Sequence, residues 1–298
     1  MRSEYKIFDG HCDSVSVKNL LHTKTQLQPR DMRKYPGYIQ VFAICPEAKY
    51  PPYLFTSRMI DRFDRLVHNW GISKVLTADD LDNAQYGGIL AIEGADAVRN
   101  VSHIDMFYKR GVRLITLTWS NDNAIATGIG SEVDNGLSDF GRKVVKRCEE
   151  KGIVIDLSHI GVKGFYDVAE MATKPFVCSH SNARMVYEHK RGLSDDQFKI
   201  LVSKGGVSGI NFAPYFLGDD ASVKDILLHI EHFCSLGGEK NIGLGSDFDG
   251  IEYMPNGCTG AGFMNVIAEE LLKHNYSEAV VKGIMYDNLY RVFKEILS

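Results

Sequence analysis

The sequence lacks the features that mark nucleic-acid-binding, secreted and membrane proteins. It has no run or stripe of basic residues, and its formal net charge is −4, which argues against a nucleic-acid platform. No apolar run approaches the roughly 20 residues of a membrane span. The first residues, MRSEYKIFDGHCD, contain neither an apolar signal-peptide core nor a small-residue cleavage site. We therefore expect no nucleic-acid partner, no membrane association and a cytoplasmic location.

Cysteine pairs and linkers are also lacking. The six cysteines are scattered without any CxxC, which indicates reduced thiols rather than a disulfide framework or a cysteine zinc site. No repeat, low-complexity tract or Pro/Ser-rich linker divides the chain. Its 44% hydrophobic and 24% charged residues are ordinary for a globular protein. We therefore predict one domain over residues 1–298.

Short apolar runs alternate with stretches of helical periodicity along the whole chain. The runs are rich in Ile, Val, Phe and Leu without strict alternation, as in parallel strands covered on both faces. The predicted strands are 5–8, 39–44, 88–92, 114–118, 153–157, 176–179, 206–211 and 242–245. The predicted helices are 57–69, 102–110, 138–151, 162–172, 195–204, 222–236, 261–274 and 277–297.

Eight alternations of strand and helix favour a closed α/β barrel over an open sheet. No GxGxxG or GxxxxGK[ST] element follows the first strand, which removes the usual nucleotide-binding reason for an open sheet. The predicted fold is therefore a (β/α)8 TIM barrel of the metal-dependent hydrolase type. Two connections, 45–55 and 120–136, are long, and long loops at strand ends are where barrels place lids and substrate contacts.

Metal-ligand and acid–base residues follow most of the predicted strands. A single histidine at a strand end is more often an ordinary hydrogen-bonded residue, and an isolated aspartate often caps a helix. In a barrel, however, all strand ends meet on the carboxyl face, where so much buried charge is costly unless a cation pairs with it. The residues are His11 and Asp13 after the first strand, Glu93 after the third, His159 after the fifth, His180 after the sixth, and Asp247 and Asp249 after the eighth.

Imidazole and carboxylate groups without a thiolate suit zinc or another divalent first-row metal. Five ligand residues exceed the three that one catalytic zinc needs, and Glu93 is a carboxylate able to bridge, so we predict two ions. Paired metals can hold a hydroxide and polarise a carbonyl. Asp247 is then left over as the acid/base group. Cys12 and Cys178, although next to predicted ligands, should point away from the metals because side chains alternate along a strand.

The ordered motifs resemble one family of metallopeptidases. The set DGHCD, AIEGAD, GIVIDLSH, SHSNAR, NFAPYFL and GSDFDG is similar to the membrane dipeptidase (renal dipeptidase) family, peptidase family M19, in a bacterial-type member. The likeness runs from Phe8 to the DNLYRVF stretch at 287–293. It implies that one zinc is bound by His11 and Asp13 and the other by His159 and His180, with Glu93 bridging and Asp247 as the proton shuttle.

The resemblance also implies which residues contact the substrate. Arg191, eleven residues after His180, stands where the family places the arginine that grips the terminal carboxylate, although a solvated charge in the HKR cluster is the alternative. Asn211 and Tyr215 of the NFAPYFL motif are further expected contacts. Homodimers occur often in the family, so a homodimer is compatible with the resemblance.

The sequence departs from the animal members of the family after the fourth predicted strand. There, Trp119 replaces a histidine that contacts the substrate or its developing oxyanion, and we expect Trp119 to contact the substrate instead. Asn121 or Asn123 could supply a replacement hydrogen-bond donor.

The sequence as a whole predicts a binuclear zinc dipeptidase that uses a metal-bridging hydroxide on short peptides, some with a D-residue at the carboxyl end. The first alternative is a barrel amidohydrolase acting on a non-peptide amide, lactone or ester, although HxD and Glu93 differ from the HxH and modified lysine of many such enzymes. The second is a non-catalytic relative, which the complete set of predicted ligands disfavours.

Overall fold

The computed structural model describes residues 4–16, 25–45 and 49–298. Its strands are β1 (Ile7–Cys12), β2 (Tyr38–Ile44), β3 (Ser73–Lys74), β4 (Tyr86–Glu93), β5 (Val112–Thr116), β6 (Val154–Asp156), β7 (Val177–Cys178), β8 (Val207–Ile210) and β9 (Ile242–Leu244). The hydrogen-bonded order is β2-β1-β9-β8-β7-β6-β5-β4-β3, and β2 also pairs with β4, which closes a ring of eight parallel strands. The predicted (β/α)8 barrel is thus confirmed.

Helices surround the ring. They are α1 (Pro29–Met32), α2 (Pro52–Trp70), α3 (Ala78–Asn83), α4 (Ser102–Lys109), α5 (Asp139–Lys151), α6 (Val162–Met171), α7 (Asp195–Ser203), α8 (Val223–Ser235), α9 (Met264–Lys273), α10 (Glu278–Lys282) and α11 (Asn288–Leu297). A short π-helix at Gly283–Asp287 separates α10 from α11 inside the predicted helix 277–297. No helix in the described ranges is long and apolar enough to cross a membrane.

The apolar core lies in two layers on either side of the barrel wall. The outer layer packs strands against helices and includes both Cys12 and Cys178, as side-chain alternation predicts. The inner layer fills the amino-terminal half of the barrel with Phe8 and the small aliphatic residues of the other strands, and α11 closes that end. Because this filling is apolar, the polar side chains of the strand ends collect at the opposite, carboxyl face.

The predicted loop 45–55 is wrong in its second half, because α2 begins at Pro52. Proline is well suited to the first turn of a helix, where its missing N–H has no partner to lose. From Phe55 onward the apolar side chains recur at helical spacing and are buried against the barrel. Residues 46–48 of this connection lie outside the described residues.

The second predicted loop, 120–136, is confirmed as irregular structure. Isolated bridges join Ala126 to Leu137 and Gly128 to Ile160 and hold the loop over the carboxyl face. The short elements α1, α3 and β3 were not predicted. For α3 a signal was present, because Thr77 and Asp80 form a capping box at its start.

The carbonyl of Ser179 lies at a point where four strands, β1, β7, β8 and β9, approach one another closely. A Cβ atom at Gly209 or Gly245 would lie 2.0 Å from this oxygen, and one at Gly10 would lie 3.0 Å from it. Only glycine leaves room for this approach, which fixes the height of the β7 strand end in the barrel.

We therefore expect Gly209→Ala to lower the free energy of unfolding by about 1–3 kcal/mol, as overpacking does in a rigid core. Denaturant unfolding followed by circular dichroism measures this change. Gly37→Ala is the matched control, because its Cβ would come no closer than 3.2 Å to another atom. Equal stability of the two variants would contradict the close approach at Ser179.

Candidate active site

The structure brings six of the predicted side chains together at the carboxyl face of the barrel. Each of these side chains is at most 14% exposed. They are His11 at the end of β1, Asp13 just after it, Glu93 at the end of β4, His159 after β6, His180 after β7 and Asp247 after β9.

Glu93 occupies the middle of the cluster. Its Oε1 atom lies 3.1 Å from Nε2 of His159, 3.4 Å from Nε2 of His180 and 3.7 Å from Nε2 of His11. One carboxylate oxygen therefore faces a ring nitrogen from each of three different strands. From this central position the carboxylate could serve as a metal ligand together with any of the three histidines.

His11 links Glu93 to a second group of carboxylates. Its Nε2 atom lies 3.5 Å from Oδ2 of Asp13 and 3.8 Å from Oδ1 of Asp247. Two sets of potential ligand atoms thus share His11, one with Glu93 and His180 and the other with Asp13 and Asp247. Asp247, which the sequence assigned to proton transfer, lies close enough to count among the possible ligands.

The backbone is strained where two of these residues leave their strands. His159 has a φ of 69° and Asp247 a φ of 61°, in the left-handed region that side chains rarely adopt. Such conformations concentrate at functional sites, because the surrounding structure has to enforce them. Gly250 packs directly on the cluster, since a Cβ there would lie 2.2 Å from Oδ2 of Asp13 and 2.5 Å from Oδ1 of Asp247.

Burial and mutual charge shift the pKa of most of these groups. Burial opposes protonation of His11, yet Glu93 and Asp13 together raise its pKa to about 10. Burial raises the pKa of Asp13 to about 7 and lowers that of His159 to about 3. Burial also acts to raise the pKa of Glu93, but the charge of His11 and the neighbouring imidazoles of His159 and His180 hold it well below its usual range.

The donor set fits a divalent cation. The Nε2 atoms of His159 and His180 lie only 2.9 Å apart, and no hydrogen-bond partner is found within the described part of the chain for either ring nitrogen of His11. Imidazole nitrogens directed at one another and at buried carboxylates are the arrangement that zinc binds. Without a cation, a buried cluster of this composition has few favourable protonation states.

Arg191 lies beside the cluster and is only 8% exposed. Its guanidinium donates to the carbonyl of His180 at 3.2 Å and lies 5.7 Å from the centre of the Phe216 ring. Its Nε atom has no partner among the described residues. Burial lowers the pKa of Arg191, whereas Asp247 and Glu93 oppose this shift. The predicted substrate-gripping arginine is therefore not a solvated surface charge.

Two aromatic side chains predicted to contact the substrate stand at the rim. Trp119 is 44% exposed and stacks on His159 with ring centres 5.9 Å apart. Tyr215 is also 44% exposed and meets Phe216 edge-on at 4.7 Å. Both leave a large face open to a bound molecule.

The predicted amide contacts differ from one another. Asn211 is buried, and its Nδ2 atom donates to Oδ2 of Asp247 at 3.0 Å. Asn123 is unsuited as a donor to the substrate, because its amide donates to the Leu117 carbonyl and to Asp96 within the loop. Asn121 is exposed at the rim, where its predicted role stays a prediction.

Sequence reasoning missed the polar residues that support the ligands from below. Asp9 accepts hydrogen bonds from the backbone and side chain of Ser246, next to Asp247. Asp156 accepts hydrogen bonds from the backbone and side chain of Ser179, next to His180. The available signal was a carboxylate two or three residues before a predicted ligand, in DGHCD and in IDLSH. Strand alternation alone does not show whether such a carboxylate supports the ligand or simply lies in the core.

A family model described as membrane dipeptidase, peptidase family M19, matches residues 1–298. The chain belongs to the membrane dipeptidase family. Membership implies an enzyme that cleaves dipeptides with a divalent metal. The resemblance inferred from the motifs is thereby confirmed.

Relatives within the membrane dipeptidase family cover nearly all of this chain. An uncharacterized dipeptidase of Schizosaccharomyces pombe is 31% identical over an alignment 333 positions long, which covers 97% of this chain and 80% of that protein. A solved dipeptidase described as a metallopeptidase of family M19 is 25% identical, with a TM-score of 0.85 over 97% of this chain and 98% of that one.

A metallopeptidase from Rhodobacter sphaeroides, solved with a phosphinate mimic of the dipeptide L-Ala-D-Ala, has the same fold. It is 24% identical, with a TM-score of 0.85 over 98% of this chain and 99% of that one.

Zinc binding to the metal-free protein should release protons. A pKa of about 10 for His11 and about 7 for Asp13 means that at pH 7.5 the first is protonated and the second partly so. Coordination needs the free bases, so about one proton or more should leave per protein, and zinc affinity should rise between pH 6 and pH 9.

Isothermal titration calorimetry in two buffers of different ionisation enthalpy measures this release. His11→Ala should reduce it, whereas His274→Ala should not, because His274 pairs with Glu231 on the surface. Zinc binding without net proton release over this pH range would contradict the charge arrangement.

Proposed function

We propose that this chain is a binuclear zinc dipeptidase that accepts dipeptides with either an L- or a D-residue at the carboxyl end. The observation that carries the proposal is the position of Glu93, whose Oε1 atom faces the Nε2 atoms of three histidines from separate strand ends. A buried arginine next to this cluster supports recognition of a small anionic substrate.

In this proposal, His11 and Asp13 would hold one ion, His159 and His180 would hold the other, and Glu93 would be a ligand of both. When bound, two divalent ions lower the pKa of a shared water and polarise a carbonyl. The close contacts among these side chains support the assignment, since each ligand pair comes from adjoining strands or from one strand end.

Asp247 is the proposed acid/base residue. Its Oδ2 atom accepts the hydrogen bond from Nδ2 of Asn211, while Oδ1 faces His11 at 3.8 Å. The carboxylate is therefore held in one orientation, with Oδ1 directed at the centre. In the reaction, Oδ1 would take a proton from the water whose oxygen bonds to the scissile carbonyl carbon. It would then pass that proton to the peptide nitrogen, which leaves as the amine when the C–N bond breaks. Asn211 thus acts through Asp247 rather than as a direct substrate contact.

Arg191 is the proposed binding group for the terminal carboxylate of the substrate. Its buried Nε atom has no partner among residues 4–16, 25–45 and 49–298, and a buried donor without a partner favours a ligand that supplies an acceptor. A carboxylate fits the planar guanidinium through two parallel hydrogen bonds. Trp119 and Tyr215 would flank the dipeptide at the rim. The complex of the Rhodobacter metallopeptidase with a mimic of L-Ala-D-Ala supports a substrate of this size.

A substrate panel tests the proposal. Protein stripped with a chelator and then reloaded with zinc should cleave L-Ala-L-Ala and L-Ala-D-Ala, whereas the stripped protein should cleave neither. The carboxyl-terminal amide of L-Ala-D-Ala should be cleaved at least about tenfold less efficiently, because Arg191 then loses a charge-assisted contact.

A simple lactone completes the panel. Zinc-dependent cleavage of the lactone without cleavage of any dipeptide would contradict the proposal and favour an amidohydrolase of non-peptide substrates. Trp119, which stands where the animal enzymes have a histidine, would then be the first residue to examine.

Replacement of the proposed acid/base group should separate catalysis from metal binding. We expect Asp247→Asn to lower kcat by about 10²–10⁴, the usual contribution of a positioned acid/base group. Zinc content is measured on the same samples by elemental analysis. Asp249→Asn is the matched control, because Asp249 bonds to Ser14 and Gln26 instead. An unchanged kcat in a zinc-loaded Asp247→Asn variant would exclude this role.

A further inference from the structure

His180 has a hydrogen-bond partner on the side of its ring that faces away from the centre. Its Nδ1 atom lies 2.8 Å from Oγ of Ser179, the residue immediately before it. The same Oγ lies 2.6 Å from Oδ2 of Asp156 at the end of β6. Three groups from two neighbouring strands thus form a chain from a buried carboxylate to a proposed metal ligand.

Asp156 is fully buried and surrounded by donors. Besides Ser179 Oγ, it accepts hydrogen bonds from Oγ1 of Thr116 at 2.6 Å, from the backbone N–H of Ser158 at 3.0 Å and from that of Ser179 at 2.8 Å. These four donors converge on its two oxygens, and two of them are backbone N–H groups, which can only donate. Donors on every side favour the ionised carboxylate, which can only accept.

The number of available protons then determines which group donates and which accepts in each hydrogen bond. The Ser179 hydroxyl has one proton, and the short contact with Asp156 uses it. The Oγ atom must accept from His180, so the ring proton of neutral His180 lies on Nδ1. The lone pair consequently lies on Nε2, which faces Glu93 at 3.4 Å and His159 at 2.9 Å.

We propose that Ser179, oriented by Asp156, is a positioning residue that fixes His180 in the tautomer able to bind metal through Nε2. This proposal rests on the metal centre of the proposed function, but not on the identity of the substrate. A histidine ligand whose second nitrogen is held by a carboxylate or another acceptor is a general feature of metal sites. Here a serine hydroxyl stands between the carboxylate and the imidazole.

The other tautomer of His180 would oppose metal binding. With its proton on Nε2, His180 could donate to Nε2 of His159 across the 2.9 Å contact, and the two rings would bind each other instead of an ion. The Ser179 hydroxyl prevents this pairing by accepting a hydrogen bond from Nδ1–H, which keeps the ring proton on Nδ1. For His159 the corresponding contact is longer, with Oγ of Ser120 at 3.1 Å from Nδ1.

Zinc affinity of metal-free protein, measured by competition with a chromogenic chelator, tests the proposal. We expect Ser179→Ala to weaken binding of one of the two zinc ions by about 10–100-fold, the usual effect of removing such a support. Asp156→Asn should weaken the same ion. The double variant should be no weaker than Ser179→Ala alone, because Asp156 acts on His180 through the Ser179 hydroxyl.

Ser208→Ala is the matched control for loss of a buried hydroxyl. Ser208 lies in the neighbouring strand β8 and donates to the carbonyl of Ser181 at 2.8 Å. This variant should keep wild-type zinc affinity, and circular dichroism and thermal unfolding should show that every variant compared is folded.

Nitrogen-15 NMR of histidine-labelled, metal-free protein provides a readout that is independent of activity. Wild-type His180 should carry its proton on Nδ1, and Ser179→Ala should show a mixture of tautomers. A folded Ser179→Ala variant with unchanged zinc affinity, or a wild-type His180 with its proton on Nε2, would overturn the proposal. A protein that binds two zinc ions yet cleaves no dipeptide would contradict the proposed function only.

Discussion

The Glu93 carboxylate is withdrawn from water and faces an imidazole nitrogen of each of three histidines. Asp13 and Asp247 add two further carboxylates within 4 Å of His11. Burial of so many like charges costs several kcal/mol unless positive charge is supplied locally. A divalent cation meets this requirement directly, and a protonated His11 meets it only in part. The rest of the carboxyl face is arranged around this constraint.

The barrel provides the rigidity that such a cluster needs. Side chains of α11 pack against the inner apolar layer, so the strands rest on a filled core that restricts their movement. Beneath the ligands lie two buried carboxylates, Asp9 on the side of His11 and Asp247, and Asp156 on the side of His159 and His180. Each accepts hydrogen bonds from a serine that precedes a functional residue. The left-handed backbone of His159 and Asp247 is held in place by these contacts.

Much of this arrangement could be predicted from the sequence, because it follows from periodicity. Eight apolar runs predicted the eight barrel strands, and the residues after those runs predicted the cluster, since parallel strands end on one face. The start of α2 at Pro52 was missed because a proline-rich stretch is typical of a loop. Only the helical spacing of the apolar residues that follow indicates that the helix already begins there. Family resemblance, rather than spacing, indicated Arg191 and the pairing of ligands with ions.

The supporting interactions could not be predicted from the sequence. Asn211 belongs to a motif expected to touch the substrate, yet its amide is held by Asp247, a partner 36 residues away in the sequence. Ser179 and Asp156 are 23 residues apart, and their contact depends on the register of β6 against β7. Such contacts depend on how neighbouring strands are aligned in the fold, and a single sequence does not reveal that alignment.

Anomalous diffraction at the zinc edge from crystals grown with zinc tests the central claim most directly. The account predicts two anomalous peaks about 3.5–4 Å apart, the usual spacing of paired catalytic metals, with Glu93 between them. One peak should lie against His11 and Asp13 and the other against His159 and His180. A single peak, or two peaks that do not share Glu93, would contradict the binuclear centre on which the proposed function depends.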